Sequence, residues 1–157
     1  MIKQYNVYLI CAVVVTTILS SCGKQELRPY DQPFIHIMNN EASSATVNYQ
    51  ALDVKSYSIY LSSAPLTQNL EVTYQLTIGD GLKEGVDFER ITKGNSLVFL
   101  PGIYDVPIRI RWLPSEHFDP DKDNTLTIEL VSNNLGITMG LPGPDGLQKK
   151  FVITKVK

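Results

Sequence analysis

The densest group of chemically capable side chains is Glu116-His117-Phe118-Asp119-Pro120-Asp121-Lys122-Asp123-Asn124. Carboxylates at alternate positions, Asp119, Asp121 and Asp123, match the opening of a calcium loop, where oxygens converge on a hard cation. An EF-hand would continue with glycine at position 124 and a bidentate glutamate at 130; this chain has Asn124 and Leu130. The stretch therefore reads first as a solvated connection whose aspartates close Asx turns, and the three aspartates are weak metal candidates. A glycosidase-like pair could be drawn from Glu116, Asp119 and Asp121, but all three lie on one connection with no evident cleft. The two histidines, His36 and His117, stand outside any G-x-S-x-G context. The glycines at 136, 140, 143 and 146 lack the lysine and Ser/Thr of a phosphate loop. With no complete catalytic motif, the expectation is a non-enzymatic protein without a cofactor. Sugars are gripped by rings flanked by polar groups, so Trp112, His117, Phe118 and Tyr60 are the candidate ligand-binding residues. Trp112, the single tryptophan, points inward by parity and fits a core cap better than a sugar platform.

The elements around these residues read as strands. Between Tyr104 and Trp112 apolar Tyr104, Val106, Ile108, Ile110 and Trp112 alternate with Asp105, Pro107, Arg109 and Arg111, the mark of a strand with one wet face. Leu126, Ile128 and Leu130 repeat the pattern in Thr125–Val131, and Leu70–Ile78 alternates over its whole length. Further strands are expected at Phe34–Met38, Ala45–Tyr49 (an edge), Ser56–Leu61, Ser96–Leu100 and Lys150–Val156. His36 falls on the opposite face from Ile35 and Ile37, where a lone histidine is expected to be solvated or singly bonded. No segment carries a capped 3.6-residue period, so almost no helix is expected. Several one-sided strands need a covering layer, which predicts an all-β, immunoglobulin-like antiparallel sandwich of seven to nine strands over residues 33–157. Two connections stand out, Leu113–Asn124 and Ser132–Gln148; whether they share an end of the sandwich is open.

The chain has 157 residues and a formal charge of −2. It has no basic patch of the kind a nucleic-acid binder needs, so nucleic acid is set aside as a partner. Residues 1–21 have the layout of a secretory signal: Lys3, a mostly apolar run from Val7 to Leu19, then Leu19-Ser20-Ser21-Cys22. That ending resembles the lipobox of bacterial lipoproteins. The resemblance implies cleavage before Cys22, a diacylglycerol thioether on Cys22, acylation of the new amine, and a membrane partner through the lipid anchor. Residues 22–32 then read as the lipidated cysteine and a polar tether. Cys11 leaves with the signal, so the mature domain holds no cysteine for a disulfide, a redox pair or a cysteine-based zinc site.

A second resemblance is carried by Gly85-Val86-Asp87-Phe88, then Leu97-Val98-Phe99-Leu100-Pro101-Gly102, then Val106-Pro107-Ile108-Arg109-Ile110. This order is similar to a Calx-beta-type repeat, with its G-x-D-[FY] motif, its L-x-F-x-P-G hairpin, an alternating strand and an acidic loop. It also resembles small Bacteroidota lipoproteins that accompany SusC/SusD-type glycan uptake. The resemblance implies a Calx-beta-like sandwich on the outer membrane, serving as an accessory glycan-binding or scaffold component. The alternative is an adhesion or structural module with a protein partner, for which calcium is a candidate stabiliser. Independently of the family, Asp87 beside a glycine bend is a candidate turn-capping carboxylate, and Pro101-Gly102 suits a tight reversal.

Overall fold

The computed structural model describes residues 32–157; the signal segment, Cys22 and all but the last residue of the tether lie outside the described residues. Ten strands form two five-stranded sheets. They are β1 (Phe34–Met38), β2 (Ser44–Asn48), β3 (Val54–Ser62), β4 (Leu70–Ile78), β5 (Phe88–Arg90), β6 (Ser96–Phe99), β7 (Asp105–Trp112), β8 (Thr125–Asn133), β9 (Thr138–Met139) and β10 (Lys150–Val156). One sheet runs β5-β7-β3-β1-β9 and the other β2-β10-β8-β4-β6. The architecture is the expected all-β sandwich, but with ten strands rather than seven to nine and with two parallel pairings, β1–β9 and β2–β10, among the antiparallel ones; the short strands β5 and β9 are those that alternation could not reveal.

Alternation becomes burial along each long strand. Ile108, Ile110 and Trp112 of β7 face inward beside Tyr57, Ile59 and Leu61 of β3 and Ile35 and Ile37 of β1. Across from them lie Leu70, Val72 and Tyr74 of β4, Leu126, Ile128 and Leu130 of β8, and Phe151 and Ile153 of β10. Burying each such side chain contributes about 1.5–3 kcal/mol, the main force closing the two sheets. The residues of this core that belong to strands all lie between positions 35 and 153, so the domain carries its own interior. Trp112 is fully buried, and its indole Nε1 donates to the Tyr57 hydroxyl at 3.0 Å, so neither polar tip is stranded in the core. Burial pushes the Tyr57 phenol up to about 12.

Three details depart from the sequence expectation. Pro101-Gly102 does not close a hairpin: β6 and β7 belong to different sheets, so this turn carries the chain across the sandwich. Tyr104 shares the parity of Ile108 but precedes β7, on the crossing, and stays exposed. β8 runs on to Asn133, two residues past the expected Val131, and a register shift between Thr73 and Tyr74 leaves Val131 without a residue opposite it on β4.

β1 and β2 form one line of travel that changes sheets. β1 is antiparallel to β3, whereas β2 is parallel to β10, and Asn40 and Glu41 take positive φ at the crossing. The register also defines two ends. At the end where β1 begins, Phe34 faces Ser62 and Thr138, and connections 63–69, 100–104 and 134–137 gather. At the other end, Trp112 sits beside Phe88, and connections 49–53, 79–87 and 113–124 gather. The two long connections singled out in the sequence therefore do not share an end. The partner of 113–124 is 79–87.

Candidate functional site

The Trp112 end is built around a buried lysine. In β10, Phe151, Ile153 and Lys155 share one parity, so the strand points Lys155 into the interior. Its side chain has no exposed surface. The ammonium has three protons and spends them on three acceptors: the Asp87 carbonyl at 3.1 Å, the Leu113 carbonyl at 2.5 Å and the Ser115 hydroxyl at 2.7 Å. The Asp87 carboxylate lies 3.8 Å away, and the Trp112 ring centroid 5.8 Å away. Burial pushes the Lys155 ammonium pKa down, and the Asp87 charge opposes that shift.

Asp87 holds the other half. One carboxylate oxygen accepts the Lys83 amide at 2.9 Å, which is the turn-capping role expected of it, and the other accepts the Ser115 hydroxyl. Gly85, at φ 83°, makes the bend that turns this carboxylate inward. The cluster thus ties β10, the start of connection 113–124 and the 79–87 bend into one neutral unit. Chemically it is closed. The serine proton is committed to a carboxylate, and the lysine is an ammonium with every proton donated, so the pair supplies neither a nucleophile nor a base.

A second lock holds the two connections together. The Gly81 amide donates to the Asp123 carbonyl at 2.9 Å, the Asp123 amide to the Asp80 carboxylate at 2.9 Å, and the Gly79 amide to the Thr125 carbonyl at 2.8 Å. A Cβ at Gly79 would collide with the Asp123 carbonyl oxygen, so glycine is what permits this approach. Between the connections lies a cleft of about 350 Å³ lined by Gly81, Gly85, Val86, Asp87, Pro114, Glu116 and His117.

The sequence-derived candidates separate on this geometry. His117 and Glu116 are exposed and line the cleft. Phe118 is half-buried against Tyr49, ring centroids 5.4 Å apart, outside that lining. Trp112 offers no ring face to a ligand, and its position is the core cap that parity favoured. Tyr60 lies on the outer face of the same sheet as Trp112, stacked on His36 at 5.5 Å, and does not join the loop end. His36 itself is not solvated. It sits between Phe34 and Tyr60, 9 % exposed, with Nδ1 lacking a partner, and burial lowers its pKa. Asp119 accepts the Asp121 amide at 3.0 Å, and Asp123 accepts the Thr125 amide at 3.2 Å, which are the Asx turns expected. Among the described residues, no three His, Cys, Asp or Glu side chains converge on a point that could hold a metal ion.

Solved structures share this arrangement of strands. The apo-form Calx CBD1 domain superposes over 81 % of this chain and 100 % of its own, at TM-score 0.57 and 17 % identity. The fold is Calx-beta-like. CBD12 from CALX1.2 matches at TM-score 0.57 and 17 % identity over 78 % of this chain and 43 % of its own. The calcium binding domain CBD12 of CALX1.1 matches at TM-score 0.56 and 17 % identity, over 80 % and 44 %. No family profile matches the chain, and no curated protein is similar to it in sequence. Within the Calx-beta-like frame, the Lys155–Asp87–Ser115 cluster is what sequence reading missed. The available signal was parity: a lysine in register with Phe151 and Ile153.

Proposed function

We propose that the chain is a non-catalytic, lipid-anchored interaction module of the bacterial outer membrane, presenting connections 79–87 and 113–124 to a protein partner. The observation that carries this reading is the double lock. Lys155 and Asp87 hold the base of that end, and Asp80–Asp123 and Gly81–Asp123 hold its rim, so a charged surface is ordered before any partner arrives. Pre-ordering lowers the entropy lost on binding. A glycan ligand is less favoured: of the four residues considered for one, only His117 reaches the cleft, and the single tryptophan is buried. A scaffold role in a SusC/SusD-type uptake complex suits the same surface.

Two experiments test the reading. Cys22→Ala is expected to abolish acylation and membrane fractionation with the domain still folded, since Cys22 precedes every core strand; variant protein in the membrane pellet overturns the anchor. Cross-linking through Glu116→Cys in membranes is expected to trap a defined protein. Glycan-array binding without any cross-linked partner would move the assignment to glycan recognition.

Calcium is the second reading. CBD12 of CALX1.1 is described as a calcium binding domain, and the end discussed here gathers Asp80, Asp119, Asp121 and Asp123. Three of those carboxylates already serve backbone amides. Millimolar calcium is therefore expected to leave the melting temperature almost unchanged. A cation at 100 times its Kd would add about 2.7 kcal/mol, so a rise of several degrees lost in Asp121→Ala would establish the calcium-stabilised version.

A further inference from the structure

The two ends of the sandwich differ in charge to a degree that ordinary surface composition does not require. Connections 63–69, 100–104 and 134–137, at the end where β1 begins, contain no Asp, Glu, Lys or Arg. Their side chains are apolar, amide, hydroxyl and phenol. At the opposite end, 113–124 alone contains Glu116, Asp119, Asp121, Lys122 and Asp123. These uncharged connections, flanked by the exposed carboxylates of Glu71 and Asp105, also expose apolar surface on the crossing between β6 and β7: Leu100 is 56 % exposed, Ile103 45 % and Tyr104 39 %, whereas the exposed Leu52 and Val86 of the other end stand among charged side chains. The Ile103 amide donates to the Leu100 carbonyl at 2.9 Å and the Leu61 amide to the Tyr104 carbonyl at 2.8 Å, so these side chains project from a bonded turn.

That same end receives the N-terminal segment, since Phe34 pairs with Ser62 and Thr138 there. Ten residues, 23–32, separate the lipobox cysteine from the domain, and a chain of that length spans at most about 36 Å. We propose that the turn Leu100–Tyr104 seats in the lipid surface, so that the domain stands on the membrane with its acidic end outward. This rests on the lipid anchor at Cys22. An uncharged tip with two aliphatic side chains and a tyrosine suits the interfacial layer, where apolar groups reach the acyl boundary and a phenol stays at headgroup level. The acidic end would be repelled by anionic headgroups, which favours the same orientation. Because Leu100–Tyr104 carries no charge and the adjoining Asp105 is an acid that stays in water, the contact needs no anionic lipid and does not weaken with salt.

The test uses a single environment-sensitive probe on Ile103→Cys or Asp121→Cys. Cys22 is blocked by its thioether and Cys11 is removed, so the label is unique. The acylated protein is placed in phosphatidylcholine vesicles containing nitroxide-labelled lipid. The expected result is quenching at 103, absent at 121, with iodide in the water phase quenching only 121. Leu100→Asp is expected to return the 103 probe to the water phase with an unchanged melting temperature. A parallel arm holds residues 23–157, which contain no cysteine, by an N-terminal histidine tag on nickel-chelating lipid. Quenching at 103 in this arm but no acylation of the native chain sinks the anchor and keeps the tip. Acylation with equal iodide access at 103 and 121 in both arms overturns the tip and leaves the anchor. Shielding of 103 only in native membranes, or only on concentrating the protein in solution, also overturns it, in favour of a protein partner or a second copy.

Discussion

Replacing Lys155 by methionine removes the ammonium while nearly keeping the volume of the side chain. It leaves the Asp87 carboxylate, whose side chain is 12 % exposed, without its cation and unpairs the Leu113 carbonyl, while the Asp87 carbonyl keeps the Leu113 amide at 3.0 Å. Removing one member of a buried ion pair costs about 3–5 kcal/mol, chiefly through the charge left behind. For a domain of this size that corresponds to a fall in Tm of roughly 10–20 °C. Asp87→Asn removes the charge but keeps one oxygen to accept the Lys83 amide, and its NH2 can donate to the Ser115 hydroxyl, so it should be milder alone and should rescue part of the loss in Lys155→Met. Thermal and urea unfolding of the four proteins of this cycle give the coupling between the two residues. The sign is what matters: the double variant should lie above the sum of the singles. Strict additivity, or a Lys155→Met protein as stable as the parent, would refute the view that this ammonium holds the end together.

Two further outcomes follow from the same structure. His36 is held neutral by burial, with its folded pKa below the ordinary 6.5. The unfolded chain then binds more protons below pH 6.5, so stability should be level above that pH and fall as pH drops toward the folded pKa. His36→Phe should flatten that slope in melts between pH 7 and 5, and an unchanged slope would place its origin elsewhere. Gly79→Ala should cost about 1–3 kcal/mol, because the new Cβ meets backbone rather than a movable side chain. Hydrogen exchange should then show the Gly81 and Asp123 amides losing protection together; loss at Gly81 alone would mean the two connections are not interlocked.

Period-2 alternation made the long strands legible, because Ile108, Ile110 and Trp112, or Leu126, Ile128 and Leu130, each recur on one buried face. It failed for β5 and β9, whose three and two residues are too few to alternate. It also said nothing of partner choice. Pro101-Gly102 suits either a hairpin or a sheet crossing, and only the packing of Phe99 in one sheet and Ile108 in the other decides. At the loop end, Asp87 was legible as a turn cap from the glycine beside it. Its second role depends on Lys155, 68 positions away, and long-range pairing of that kind leaves no local pattern. The acidic run drew attention because its charges are adjacent in the chain, yet most of its aspartates serve their own turns.

The placement of β10 bears on how the molecule comes into being. It lies between β2 and β8, and its parallel partner β2 is more than a hundred positions earlier in the chain. Until β10 arrives, β2 has no neighbour in its sheet, β8 presents an open edge, and Asp87 has no cation. A growing or threading polypeptide therefore cannot settle prematurely into the finished sandwich, and such distant pairings are slow to form. The order of synthesis thus sets the order of closure: the sandwich closes only once β10 is present to fill the gap between β2 and β8.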